Sequence, residues 1–177
     1  MVRTLIADYR AKNIYAIPAE RYQELGFTLL FVDLDNTLAP YDEKVPSSLT
    51  YKYVARLLRA GIEVVLVSNN TKKRVGEFAR RLGVNYLSSA HKPFKGRLLR
   101  YLHDHDLEKS RCLYIGDQVI NDAMYAHKVG LKCVLTEPLV KKDHISTRMI
   151  RWLDRKLRKK YLQQSRLGRL INGEEEK

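Results

Sequence analysis

The chain has 177 residues, 45% apolar and 30% charged, which fits one compact domain and excludes a chain disordered throughout. No apolar run reaches bilayer-spanning length, and residues 1–10 lack the charged-then-apolar pattern of a secretory signal, so a cytoplasmic protein is expected. The net charge of +13 is concentrated late, with eleven Lys/Arg against two Asp in residues 141–172 and an acidic 173–177 after them.

Residues 18–25 read as a short amphipathic helix within an N-terminal helical segment, 1–26. Residues 28–33 form a continuous apolar run ending in polar residues, the pattern of a strand buried on both faces. Ser47 or Ser48 can cap a helix that runs to about Ala60, where Gly61 stops it. Strands are expected at 62–67, 84–87, 112–115 and 132–136, alternating with helices at 71–82, 95–105 and 122–129. Cys112 and Cys133 lie in apolar runs and read as small core residues in a reducing compartment. Strand–helix alternation at this spacing implies right-handed crossovers and a parallel sheet covered on both faces.

Three of these strands end in reactive residues. The first ends Asp33-Leu34-Asp35-Asn36-Thr37, the second Ser68-Asn69-Asn70, and the fourth Gly116-Asp117, with Asp122 five residues on; His91-Lys92-Pro93 follows the third. In open parallel sheets ligands bind beyond the carboxyl ends of the strands, near the reversal of strand order, so these segments converge on one crevice. Alternation along an extended chain puts Asp33 and Asp35 on one side. Four clustered carboxylates cannot all ionise without a cation, and an all-oxygen donor set with room for phosphate suits Mg2+.

The motifs FVDLDNTL (31–38), VSNN (67–70), KP (92–93) and GDQVIND (116–122) resemble the four motifs of the haloacid dehalogenase (HAD) superfamily of phosphatases. The chain is similar to small members of subfamily IIIA, of the YqeG type, and through them to phosphatidylglycerophosphatases. Residues 13–25 and the basic segment after Ile145 share the likeness; Asn121 departs from it, where relatives commonly carry Thr. The resemblance implies a three-layer, Rossmann-like fold with a five-stranded parallel sheet, order 5-4-1-2-3. It implies Asp33 as nucleophile forming an aspartyl-phosphate, and Asp35 as the acid and then the base. It implies Mg2+ on Asp33, the backbone carbonyl of Asp35 and Asp117, with Asp122 holding a metal-bound water or Lys92. Ser68 and Lys92 would bind phosphate, and Thr37 would support the first loop.

Some readings stay open. Lys92 is favoured over Lys95 because Pro93 fixes its backbone direction; Lys95 starts a helix or contacts substrate. Asn69 either positions phosphate through its backbone N–H or belongs to a turn. His91 could contact substrate, and no histidine is given a catalytic role. Only residues 38–46, and a loop with one helix between 87 and 112, are available for insertions, too little for a cap domain.

Residues 145–170 read as a basic amphipathic helix, part of the same unit as 1–144, with 171–177 as a disordered tail. Within 145–167, Ile145, Met149, Trp152, Leu153, Leu157 and Tyr161 make an apolar stripe, interleaved with Arg148, Arg151, Arg155, Arg158 and Lys159. That helix either docks on the sheet or lies on an anionic membrane, bringing the site to a lipid phosphomonoester at the membrane's inner face. Other readings are a phosphatase acting on nucleic-acid ends, or a nucleic-acid- or ribosome-binding protein built on the same fold.

Overall fold

The computed structural model describes residues 7–140, 156–159 and 169–172. In chain order these contain β1 (Tyr9–Ala11), a 3-10 turn (Ile14–Ala16), α1 (Ala19–Glu24), β2 (Leu29–Asp33), α2 (Ser48–Arg59), β3 (Glu63–Val67), α3 (Lys72–Leu82), β4 (Asn85–Leu87) and α4 (Gly96–Asp104). After these come β5 (Cys112–Gly116), a π-helical turn (Val119–Met124) running into α5 (Tyr125–Val129), β6 (Lys132–Thr136) and β7 (Arg169–Leu170). The strands form one sheet in the order β4-β3-β2-β5-β6-β1-β7, parallel at every pairing.

The five expected strands, β4-β3-β2-β5-β6, lie side by side in the expected order. Two more, β1 and β7, extend it beyond β6. At three and two residues they are too short to show a period, and their pairing is a tertiary effect. The N-terminal segment is therefore a strand, a 3-10 turn and one helix rather than wholly helical. At the other end, residues 156–159 are helical, but 169–170 are a strand, so the expected helix does not run to 170. The tail does not begin at 171 either, since Ile171 is 1% exposed. The rest of the helix 145–167 and residues 173–177 lie outside the described residues.

β2 is buried along its whole length, as its unbroken apolar run requires. Leu30 and Val32 pack with Tyr22, Leu57 and Phe78 on the side of α1, α2 and α3. Leu29 and Phe31 pack with Leu98, Tyr114 and Ala126 on the side of α4 and α5. Asp33 has the parity of Leu29 and Phe31, so the strand aims it at that second face. The Ser47 hydroxyl caps α2 by accepting the Thr50 amide, and left-handed Gly83 and Gly130 end α3 and α5. The connections 34–47 and 88–95 hold no further helix or strand, and no cap covers the sheet edge among the described residues. No described helix is long and apolar enough to cross a membrane.

The two ends of the chain are tied together. The Ile171 amide donates to the Arg10 carbonyl at 3.0 Å, Arg21 Nε to the Ile171 carbonyl at 2.5 Å, and Asn172 Nδ2 to the Ala16 carbonyl at 3.1 Å. Ile171→Ala should cost about 2–4 kcal/mol in urea unfolding, because it empties a fully buried aliphatic site. A loss below about 0.5 kcal/mol would mean that β7 closes nothing.

Candidate active site

The carboxyl ends of β2, β4 and β5 meet at one point. Asp33 ends β2, Lys92 follows β4, and Asp117 and Asp122 follow β5, and all four are buried. Lys92 Nζ lies 2.5 Å from Asp33 Oδ1 and 2.8 Å from Asp122 Oδ1. Oxygens of Asp33, Asp117 and Asp122 come within 4.8 Å of one another. Asp122 Oδ1 also accepts the Tyr114 hydroxyl at 3.1 Å, and its Oδ2 accepts the Gln118 amide at 2.9 Å. This side chain lies so close to β5 that a Cβ on Gly116 would come 2.2 Å from Asp122 Cγ; only glycine fits there.

Burial pushes the Asp33 carboxyl well above its usual range, against the pull of Lys92. For Lys92 burial disfavours the charge, but the carboxylates of Asp122 and Asp33 outweigh it and hold the ammonium above its ordinary range. Burial likewise keeps Tyr114 a neutral phenol, 5.8 Å below that ammonium at its ring centroid. Three carboxylates gathered at one point form a set of hard oxygen donors that fits a divalent cation.

Lys92 is held by its backbone as well as its head. Asn69 Oδ1 accepts the Lys92 amide at 2.7 Å, and Asn69 Nδ2 donates to the Lys92 carbonyl at 3.1 Å. The Asn69 side chain thus clamps the lysine loop from both sides. Lys95 is exposed at the start of α4 and His91 is exposed on the loop, so Lys92 is the lysine whose head joins the acidic group.

Asp35 does not share that group. The extended chain ends at Asp33, and the backbone turns at once, with Asn36 at φ 69° and Asp35 bridged to Ala39. Alternation therefore fails one residue past the strand, and the two carboxylates enter different networks. Asp35 Oδ1 accepts from Arg74 Nε (3.0 Å) and Nη2 (2.6 Å); its Oδ2 accepts from Ser68 Oγ and Asn70 Nδ2, both at 3.2 Å. Thr37 Oγ1 lies 3.4 Å from Asp117 Oδ1, linking the first loop to the acidic group.

Four contributors were missed in the sequence. Tyr114 reads as an ordinary core residue of a strand, and Asn70 as part of a turn. Arg74 sits in a helix full of basic residues. Arg158, in the helical turn 156–159, donates to the Asp117 carbonyl and, at 2.6 Å, to the Thr136 carbonyl, while Leu157 packs on the α4/α5 face. No spacing in the sequence ties it to the site, though a basic residue on the helix's polar face was visible.

A family model described as "haloacid dehalogenase-like hydrolase" matches residues 3–130. The chain belongs to the haloacid dehalogenase-like hydrolases. It is 30% identical over 152 residues to "Probable phosphatase YqeG" of Bacillus subtilis (strain 168), covering 86% of this chain and 88% of that one. Two solved structures share its fold. The 3-deoxy-D-manno-octulosonate 8-phosphate phosphatase of Yersinia pestis has a TM-score of 0.50 at 16% identity, over 84% of this chain and 87% of that one. The cobalt-bound deoxy-D-mannose-octulosonate 8-phosphate phosphatase of Haemophilus influenzae also scores 0.50, at 14% identity, over 67% of this chain and 81% of that one. The HAD chain described here is a phosphatase.

Gly116→Ala should displace Asp122 and, with it, Lys92. The expected result is a lower melting temperature and a smaller thermal shift on adding a divalent cation than in the wild type. A thermal shift with divalent cation equal to the wild type's would show that Asp122 is not needed where it lies.

Proposed function

We propose that this HAD phosphatase is a Mg2+-dependent phosphomonoester hydrolase working through an aspartyl-phosphate on Asp33. The observation that carries this reading is the Lys92 ammonium bonded at once to Asp33 and Asp122 within the three-carboxylate group. An oxygen of Asp33 attacks phosphorus, the bond from phosphorus to the leaving oxygen breaks, and Asp35 gives that oxygen its proton. Water then attacks the aspartyl-phosphate and loses a proton to Asp35, and the bond from phosphorus to Asp33 breaks, releasing inorganic phosphate. Lys92 balances charge on the phosphoryl oxygens, and Ser68 donates a hydrogen bond to one of them. Asp122 keeps Lys92 in place, Asn69 fixes the lysine backbone, and Thr37 steadies the first loop. Asp33, Asp117 and the Asp35 carbonyl would hold Mg2+, whose charge would ease the approach of an anionic phosphate to an anionic nucleophile. The cobalt in the Haemophilus influenzae structure supports a divalent ion in this fold.

The substrate class we favour is a phosphate on an apolar carrier, a lipid phosphomonoester such as phosphatidylglycerophosphate. Two features support it. The sheet edge lacks a cap among the described residues, so a bulky carrier can approach. The connections flanking the site expose apolar side chains: Val45 at 47%, Leu49 just past the first connection at 58%, and Phe94, two residues after Lys92, at 74%. The basic C-terminal segment would draw the protein to an anionic membrane surface, weakly at high salt. The turn 156–159 takes part in that only with its outer residues, because Leu157 and Arg158 face the domain.

Asp33→Asn should lower turnover of phosphate esters by at least about a thousandfold while leaving the fold intact by circular dichroism. Removing divalent ions with a chelator should abolish turnover, and adding back Mg2+ should restore it. Near-normal activity of Asp33→Asn would exclude the covalent route. Among substrates, kcat/KM for lipid phosphomonoesters should exceed that for sugar phosphates and oligonucleotide ends; the reverse order would move the substrate away from lipid.

A further inference from the structure

The catalytic reading above leaves a gap at Ser68. The Ser68 hydroxyl has one proton, and here it is given to Asp35 Oδ2 at 3.2 Å, while the oxygen accepts the Asn70 amide at 3.0 Å. When that proton turns to a phosphoryl oxygen, Asp35 loses one of the bonds that orient it. Something else must then keep Asp35 aimed at the leaving group.

Arg74 is built for that. It stands in the first turn of α3, half-buried at 19% side-chain exposure, and uses all three nitrogens. Nε and Nη2 converge on Asp35 Oδ1 at 3.0 and 2.6 Å, and Nη1 donates to the Glu43 carbonyl at 2.8 Å. Its guanidinium carbon lies 5.4 Å from the ring centroid of Phe78, one helical turn on and fully buried. Glu43 is itself anchored, since its Oε1 accepts the Ser47 amide at the start of α2 at 2.8 Å. The planar fork is thus fixed at both ends before any substrate arrives. A lysine could not reproduce it, because one nitrogen cannot serve Asp35 and the Glu43 carbonyl with the same geometry.

We infer that Arg74 is the positioning residue for Asp35, holding that carboxyl in line with the leaving oxygen when Ser68 is recruited to the phosphate. This rests on Asp35 acting as the proton donor. Arg74 touches neither the acidic group nor Lys92 in the described contacts, and of its partners only Asp35 carries catalytic chemistry.

The role shows itself in dependence on the leaving group. 4-Nitrophenyl phosphate departs as a stable phenolate and needs little protonation, whereas the alkoxide of glycerol phosphate needs the proton. The quantity to read is kcat/KM, which reports the steps up to transfer onto Asp33 and not the later hydrolysis. Arg74→Gln should lower kcat/KM for glycerol phosphate on the order of 10- to 100-fold, a typical penalty for a misplaced acid, and leave 4-nitrophenyl phosphate within about 3-fold. Arg74→Lys should fall between, and it carries the same comparison if Arg74→Gln does not fold. In an Asp35→Asn background, Arg74→Gln should have no further effect on either substrate. Equal losses on both substrates, or a loss that persists in the Asp35→Asn background, would overturn the inference. A wild-type protein that turns over neither these esters nor a lipid phosphomonoester would instead remove the phosphatase mechanism on which it rests.

Discussion

A buried ammonium bonded to two buried carboxylates is the constraint on which the rest of the site depends. Lys92 sits between Asp33 and Asp122 with its side chain only 4% exposed. Desolvating these charges is costly, and a pair of apolar residues of similar volume would often be as stable or more so. The arrangement is therefore poor evidence for stability and good evidence for chemistry: charge gathered at a strand end before a phosphate arrives. Much of the surrounding structure keeps it assembled. Asn69 holds the lysine backbone from both sides, Tyr114 braces Asp122, and the bare backbone of Gly116 leaves room for it.

Two aspartates separated only by Leu34 meet opposite surroundings. Asp33 keeps the parity of β2 and enters a dry pocket beside other acids, where burial raises its pKa. Asp35 follows the end of the strand, turns with Asn36, and gathers four donors from Arg74, Ser68 and Asn70. The two carboxyl groups are thereby given separate partners, Lys92 for one and Arg74 for the other. Here the separation comes from the exact residue at which regular strand geometry stops.

Much of this was legible in the sequence because it is local. Buried strands, helix stops at Gly83 and Gly130, and the reactive residues at strand ends follow from short-range patterns, and together with the family likeness they define five of the seven strands and the acidic group. What was not legible depends on distance along the chain. β1 exists because Tyr9–Ala11 find β6 far along the chain, and β7 because Arg10 and Ile171 find each other across nearly the whole sequence. Asn69 gripping Lys92, and Arg74 gripping Asp35, are side-chain contacts over 23 and 39 residues that no period encodes. The shared side expected for Asp33 and Asp35 failed for a subtler reason: alternation describes extended backbone, and the backbone turns between them. Arg158 adds a further long-range tie, from the basic C-terminal stretch to the backbone of Asp117.

The central claim is that phosphate passes through a covalent bond to Asp33, and the direct measurement is to trap and locate it. Protein quenched during turnover of a phosphate ester, ideally as Asp35→Asn to slow hydrolysis, can be reduced with borohydride, which converts an aspartyl-phosphate into homoserine. Peptide mass spectrometry should then find homoserine at position 33 and at no other aspartate. Homoserine at another position, or none in a protein that turns over substrate, would contradict the account.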